Sequence, residues 1–354
     1  MRVKIITIHN IPNYGSVFQA LALNQYISNC GHDCEVIDYN PSFFVKGNLK
    51  ARIGRLLNYR AYRSRTKKYR SFVEQNMKLT AGSYSNANEL RAVADTADIF
   101  IAGGDQLWNE FYDCGQDDAY KLLFTEKRKA AFGTSLGKDS FSPEGMSRLI
   151  AAIKVFEHIG IREQSGAELL RKAGIEHVHH VCDPVFLLER GDYQKFIKPT
   201  QMSHPYMFVY LVQPSALLDR AVDYISQQLG LKVVLYAGFT PKCHSDLFLK
   251  EIGPEETLSY VANADFILSA SFHASAFSVL FHKQFITLLP GESTNARIED
   301  FLGYVGLQGR IVSDQRTLEA AIANPIEWAK TDNIMRDYIL DSKNYLAQIL
   351  CKQG

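Results

Sequence analysis

The sequence has no Cys-x-x-Cys pair; its six cysteines, Cys30, Cys34, Cys114, Cys182, Cys243 and Cys351, are scattered along the chain. Such spacing suggests neither a zinc knuckle nor a disulfide framework, and a reducing cytoplasm is the default expectation. No apolar run approaches the roughly 20 residues that span a bilayer. The stretch from Met1 to Tyr39 reads as a strand and an amphipathic helix, not as a signal-peptide core with a cleavage site. Excess charge is missing too: 39 Lys and Arg face 38 Asp and Glu, and the formal charge of +1 gives no steering toward nucleic acid. No convincing metal site, low-complexity tract or internal repeat is visible beyond two similar series of strands and helices. What is present is 354 residues with 46% hydrophobic and 22% charged content, the make-up of an ordinary soluble globular protein. That length exceeds the usual limit of a single core, so two domains are expected.

The stretch Asp265 to Lys283 organises the chain. Phe266, Ile267 and Leu268 form a short apolar run, the pattern of a buried parallel strand. After the polar break Ser269-Ala270-Ser271, apolar residues at Phe272, Ala276, Phe277, Leu280 and Phe281 recur at helical spacing. Strand, turn and helix put His273 at the carboxyl end of a strand and in the first turn of a helix, where α/β sheets bind ligands and free N–H groups attract anions. The competing reading makes Ser271 a helix cap and His273 a satisfied polar residue beside it.

The rest of the chain repeats this grammar. Val3 to Ile8 reads as a strand, followed by a helix to about Asn29, stopped by Gly31, and a second strand from Cys34. The first loop lacks Gly-x-Gly-x-x-Gly, so the dinucleotide fingerprint is absent. Asn13, Tyr14 and Gly15 there are either backbone donors for a phosphate or sugar, or only turn chemistry and a helix start. Lys50 to Arg70 is basic and aromatic, with Ile53, Leu56, Leu57 and Tyr62 on one helical face: an anionic-lipid contact or a solvated surface helix. Strand Ile99 to Ala102 ends in Gly103-Gly104-Asp105-Gln106-Leu107-Trp108-Asn109. Carboxylate, amides and indole together suit a sugar, whose hydroxyls need hydrogen bonds and whose apolar side needs an aromatic face. Alternatively the glycines serve the turn, Asp105 caps a helix and Trp108 belongs to the core. A strand at His158 to Ile161 opens onto Arg162, either a fork for carboxylate or phosphate or the ion-pair partner of Glu163 or another acid. Asp183-Pro184 closes the first domain, 1–190; a second spans 206–325, and a closing helix, 326–354, is expected to cross back to the first.

Several separated segments agree in order and spacing with one family: Asn13-Tyr14-Gly15-Ser16-Val17-Phe18-Gln19-Ala20, Ala102 to Asn109, Ile161 to Gly166, Asp183-Pro184 with Leu187-Leu188, Gly253-Pro254-Glu255, Asn263 to His273, and Asn295-Ala296-Arg297-Ile298. On these the chain resembles the polysaccharide pyruvyl transferases, in particular the bacterial branch associated with surface polysaccharides. The resemblance covers nearly the whole chain. It implies an α/β architecture similar to GT-B glycosyltransferases, two Rossmann-like domains facing a cleft, with the acceptor on the N-terminal side and the donor on the C-terminal side.

The activity it implies is transfer of pyruvate from phosphoenolpyruvate to two hydroxyls of a glycan sugar, giving a cyclic ketal, with no further cofactor. It makes His273 the general acid, Asp105 the base toward the sugar hydroxyl and Arg162 the grip on the donor anion. Ser271, Arg297, Lys283 and Asn295 are further donor-side candidates; Asn13, Tyr14, Gly15, Gly104, Gln106, Trp108 and Asn109 are acceptor-side candidates. Two departures from the family pattern stand out. Ser271 replaces an Arg two residues before the His, a charge that Arg297 or Lys283 is expected to supply. Gly104 stands where relatives carry Ser, a change expected to be tolerated. The acceptor is compatible with a lipid-linked glycan and a peripheral contact with the inner membrane. The alternatives are a GT-B glycosyltransferase using a sugar nucleotide, and a non-catalytic carbohydrate-binding protein of the same fold.

Overall fold

The computed structural model describes residues 1–46, 59–211, 217–237, 242–289 and 296–351. Ile53, Leu56 and Leu57 of the basic segment lie outside them. The chain divides into two compact units, Met1–Leu188 with Asp337–Gly354, and Glu189–Arg336.

Unit 1 holds a seven-stranded sheet in the order β3-β2-β1-β4-β5-β6-β7, every pairing parallel. The strands are β1 (Arg2–Ile6), β2 (Asp33–Tyr39), β3 (Leu79–Tyr84), β4 (Ile99–Ala102), β5 (Arg128–Thr134), β6 (His158–Ile161) and β7 (Val178–His180). All four residues of β4 are buried, as expected of a parallel strand with both faces covered. Helix α1 (Tyr14–Asn29) links β1 to β2; the Asn13 side chain accepts a hydrogen bond from Gly15 N at 3.0 Å to start it. Helix α2 (Tyr59–Asn76) carries residues 59–70 of the basic segment and buries only Tyr69, Phe72 and Val73. Helix α3 (Pro143–Ile153) begins with Ser142 as cap and Pro at its first position. Chain order runs outward from β1 to β3 on one side and from β4 to β7 on the other, so the direction switches between β1 and β4.

Unit 2 repeats the plan with six parallel strands, β10-β9-β8-β11-β12-β13. These are β8 (Tyr206–Leu211), β9 (Lys232–Ala237), β10 (Leu247–Leu249), β11 (Phe266–Ser269), β12 (Gln284–Leu288) and β13 (Ile311–Val312). Its switch point lies between β8 and β11. Helix α4 (Pro254–Asn263) leads into β11, and α5 (Phe272–Leu280) leaves it. Helix α6 (Ala296–Tyr304) follows β12.

The last helix, α7 (Trp328–Ile349), ends against unit 1. Its hydroxyls serve backbone groups at β6 and just beyond β7: Tyr345 accepts from Ile159 N at 2.9 Å, Ser342 from Cys182 N at 2.8 Å, and Tyr338 donates to Val181 O at 2.6 Å. Buried backbone groups at a sheet margin need partners, and three side chains of one helix supply them. Among the described residues no helix is long and apolar enough to cross a membrane.

Candidate functional site

In unit 1 the loops after β1 and β4 meet at the switch point, the position where open α/β sheets bind ligands. The β4 loop is pinned from both sides. Thr7 Oγ1 donates to Gly104 O at 2.9 Å, and Thr134 Oγ1 reaches Gly103 O at 2.7 Å. Ser135 N donates to Asp105 O at 2.9 Å. Held in this way, Asp105 takes a left-handed backbone, φ +72°. That region is costly for most residues with a Cβ, although Asp tolerates it better than most, and strained residues of this kind cluster at functional sites. Its carboxylate accepts from Ser16 Oγ at 2.5 Å and from Gln106 N at 2.8 Å.

Beside it lies a pocket of about 300 Å³. Asn13, Ser16, Asp105, Gln106 and Asp113 supply its polar wall, and Ile11, Phe43, Phe44 and Tyr112 part of its apolar one. Cys114 also lines it, but burial and then the Asp105 charge push its thiol up to about 12, so it stays protonated and inert. Polar groups converging beside aromatic faces can orient a sugar and cover its apolar side. Asn13, Asp105 and Gln106 are therefore brought together as acceptor-side candidates.

Other expected contacts are not. Trp108 is 1% exposed, packs edge-on against Phe156 and donates its Nε1–H to Tyr120 O at 3.0 Å. It packs into the core away from this pocket; Phe43, Phe44 and Tyr112 present the aromatic surface here instead. Tyr14 and Gly15 are buried within α1. Asn109 is buried, donating to Gln106 Oε1 at 2.9 Å and accepting from Phe111 N at 3.1 Å, so it shapes the loop. Gly104 is enclosed: a Cβ there would meet Gln19 Oε1 at 2.5 Å and Pro184 at 3.0 Å. Any side chain at this position would need Gln19 and Pro184 to move, so the glycine suits the packing of this chain.

Arg162 also changes role. Its side chain is fully buried, with Nη1 2.6 Å from Asp183 and Nε 3.2 Å from Glu163. Glu163 in turn accepts from Ser135 Oγ at 2.5 Å, and Asp183 from Val185 N at 3.0 Å. Burial disfavours the guanidinium charge, yet Asp183, Glu163 and Asp105 outweigh it and raise the pKa above the ordinary value. The expectation that Arg162 grips a donor anion is corrected: two carboxylates already occupy it. The rival reading, an ion pair with Glu163 or another acid, holds with both: Glu163 next door and Asp183, the nearer partner, 21 residues on.

In unit 2, His273 is 5% exposed in the first turn of α5, at the carboxyl edge of the sheet, its ring edge-on to Phe272. The turn before it is built by hydroxyls. Ser269 Oγ donates to Tyr210 O at 2.8 Å and accepts from Ser271 N at 3.0 Å; Ser275 and Thr287 hydroxyls lie 2.7 Å apart. Ser271 occupies the cap position, but its side chain makes no capping bond. Arg297, half-buried in the first turn of α6, shares this edge, since α6 also follows a strand's carboxyl end. Asn295 lies outside the described residues. Lys283 immediately precedes β12 and so sits at the opposite, amino edge, where burial and then Arg190 lower its pKa while Asp265 raises it. Its donor-side assignment is corrected on that ground: helix α5 separates it from His273. Among the described residues no group of three or more His, Cys, Asp or Glu side chains is placed to hold a metal ion.

Comparison with solved structures gives the same two-sheet plan. A UDP-GlcNAc 2-epimerase of Neisseria meningitidis aligns over 99% of this chain and 99% of its own, with TM-score 0.58 and 10% identity. The corresponding enzyme of Methanocaldococcus jannaschii aligns over 95% and 99%, with TM-score 0.55 and 13% identity. An α-glucosyltransferase solved with UDP aligns over 99% and 100%, with TM-score 0.55 and 10% identity. At such identities the likeness is one of fold: two Rossmann-like domains of the GT-B type. No curated protein matches the sequence. Residues 13–291 match the family described as polysaccharide pyruvyl transferase, a span that holds Asp105, Arg162 and His273. The chain belongs to the polysaccharide pyruvyl transferase family, and so among transferases.

Proposed function

We propose that the protein transfers pyruvate from phosphoenolpyruvate to two hydroxyls of a glycan sugar during surface-polysaccharide synthesis. The observation that carries this reading is the Asp105 carboxylate, held in a left-handed turn at the switch point of unit 1 and lining a pocket with aromatic walls. In this reading unit 1 takes the acceptor and unit 2 the donor. Asp105 accepts the proton of the attacking hydroxyl, and His273 delivers a proton to the vinyl carbon of the donor. The second hydroxyl then displaces phosphate. Atoms balance: diol plus phosphoenolpyruvate gives carboxyethylidene ketal plus phosphate. Arg297 and the N-terminal turn of α5, with Ser271, meet the donor's carboxylate and phosphate. Asn13, Gln106, Phe43, Phe44 and Tyr112 hold the sugar.

A lipid-linked acceptor on the inner face of the membrane fits helix α2, which exposes Arg60, Arg63, Lys67, Lys68 and Arg70. Co-sedimentation with anionic vesicles that weakens with salt is the expected behaviour; equal recovery with neutral vesicles contradicts it. For the reaction itself, the protein is incubated with labelled phosphoenolpyruvate and a panel of lipid-linked and nucleotide-linked sugars. The expected product carries the mass of acceptor plus donor less phosphoric acid. Thermal stabilisation by UDP-sugars, with neither stabilisation nor incorporation from phosphoenolpyruvate, overturns the proposal.

A further inference from the structure

A second pocket in unit 1, about 460 Å³, has no part in the reaction above. It lies between the turns Asp113–Gln116 and Asp118–Lys121 on one side and α3 on the other. Its volume falls within the range of small-molecule sites, roughly 300–1,000 Å³. Trp108, Phe141, Leu149 and Leu123 give it apolar walls, and Lys121 and Arg148 give it two cations.

Glu110 and Asp118 also line the pocket, but both carboxylates are directed elsewhere. Glu110 is spent on the start of α3, accepting from Ser142 N at 2.5 Å and Ser142 Oγ at 2.7 Å. Asp118 points largely into solvent, its side chain 66% exposed and 3.8 Å from the Lys121 ammonium. The Lys121 side chain is only 8% exposed, and it donates a long hydrogen bond, 3.4 Å, to Asp117 O. An ammonium carries three donors and normally fills them when buried. Burial lowers the Lys121 pKa, and Arg148 nearby lowers it further against the pull of Asp118. An anion placed between the two cations would relieve both effects.

We infer that this pocket binds a phosphomonoester with an apolar body, its dianionic head between Lys121 and Arg148 and its body against Trp108, Phe141 and Leu149. Charge selects the head, because two cations line the pocket while Glu110 is engaged by Ser142 and Asp118 lies largely in solvent. The walls select the body.

Trp108 provides the readout. The chain has two tryptophans, so Trp328→Phe leaves Trp108 as the sole indole. Titration of that variant with phenyl phosphate should give a saturable fluorescence change. Benzyl alcohol, an aromatic ring with a hydroxyl and no charge, and inorganic phosphate, the head alone, should bind about tenfold more weakly or worse. Arg148→Ala, at an exposed side chain, should weaken phenyl phosphate by about tenfold, and Lys121→Met by at least as much. Asp105→Asn, in the other pocket, should leave the titration unchanged. The inference is overturned by a change that never saturates, by equal affinity for benzyl alcohol, by an Arg148→Ala variant that binds as before, or by loss of binding in Asp105→Asn. The readout is binding alone, so failure of the pyruvyl-transfer reading leaves this result standing.

Discussion

At the carboxyl edge of the first sheet, Arg162, Glu163 and Asp183 form a buried ionic cluster beside Asp105. The matching edge of the second sheet carries hydroxyls, Ser269, Ser271, Ser275 and Thr287, around the single imidazole of His273. The two sheets share strand order and direction, so the difference does not come from topology. It comes from what each edge must hold. A buried cluster of paired fixed charges is stiff, and its field acts on the neighbouring Asp105 carboxylate. An edge of small hydroxyls and helix N–H groups leaves room for a ligand that brings its own negative charge.

This contrast can be broken on the unit 1 side first. Arg162→Met strands Asp183 and Glu163 without their cation, and should cost about 3–5 kcal/mol of unfolding free energy by denaturant titration. A protein as stable as wild type, with weakened donor binding, would return Arg162 to the donor role. On the unit 2 side, His273→Gln should leave the melting temperature near wild type while turnover falls on the order of 10²–10⁴-fold. Turnover unchanged, or a melting temperature that collapses, would make His273 a packing residue.

Smaller effects sharpen the comparison. Ser275→Ala removes one neutral hydroxyl pair and should cost about 1 kcal/mol, well below the Arg162 variant, by the same titration. Asp38 tests how charge is held near the β2 end of the first sheet. Burial alone would raise its pKa, but hydrogen bonds from His9, Asn40 and Ser83 outweigh it and bring the carboxylate down to about 2. A carboxylate depressed in the folded state stabilises above its unfolded value of 3.8 and loses that contribution as pH falls toward about 2. Asn40→Ala should move this part of acid unfolding upward in pH, followed by circular dichroism; an unmoved profile would mean that Asn40 contributes nothing.

Much of the architecture was legible because buried parallel strands leave an unmistakable trace: Ile99–Ala102 and Phe266–Ser269 are runs with hardly a polar atom. Edge strands were not. Leu79–Tyr84, Leu-Thr-Ala-Gly-Ser-Tyr, pairs on one side only and needs little apolar surface, so it carries no such run. Asp105 could be singled out because it follows a strand and two glycines. Trp108 could not be assigned from its neighbours, since Phe156 and Tyr120, which enclose it, come from other segments. Arg162 was ambiguous for the same reason, its nearer partner Asp183 lying beyond the following helix and strand. Lys283 is a different case: a residue immediately before a parallel strand lies at the amino edge, so its exclusion from the His273 edge was readable in the order of elements. Phe43, Phe44 and Tyr112 gave no warning, because only the fold brings their loops beside the β4 turn.

The central claim is that the Asp105 carboxylate draws the proton from the sugar hydroxyl. Its most direct test is the rate at which Asp105→Asn, a near-isosteric change that tolerates the same left-handed backbone, converts labelled phosphoenolpyruvate into glycan-bound ketal. The account predicts a fall on the order of 10²–10⁴-fold with phosphoenolpyruvate affinity retained. Turnover equal to wild type would contradict it.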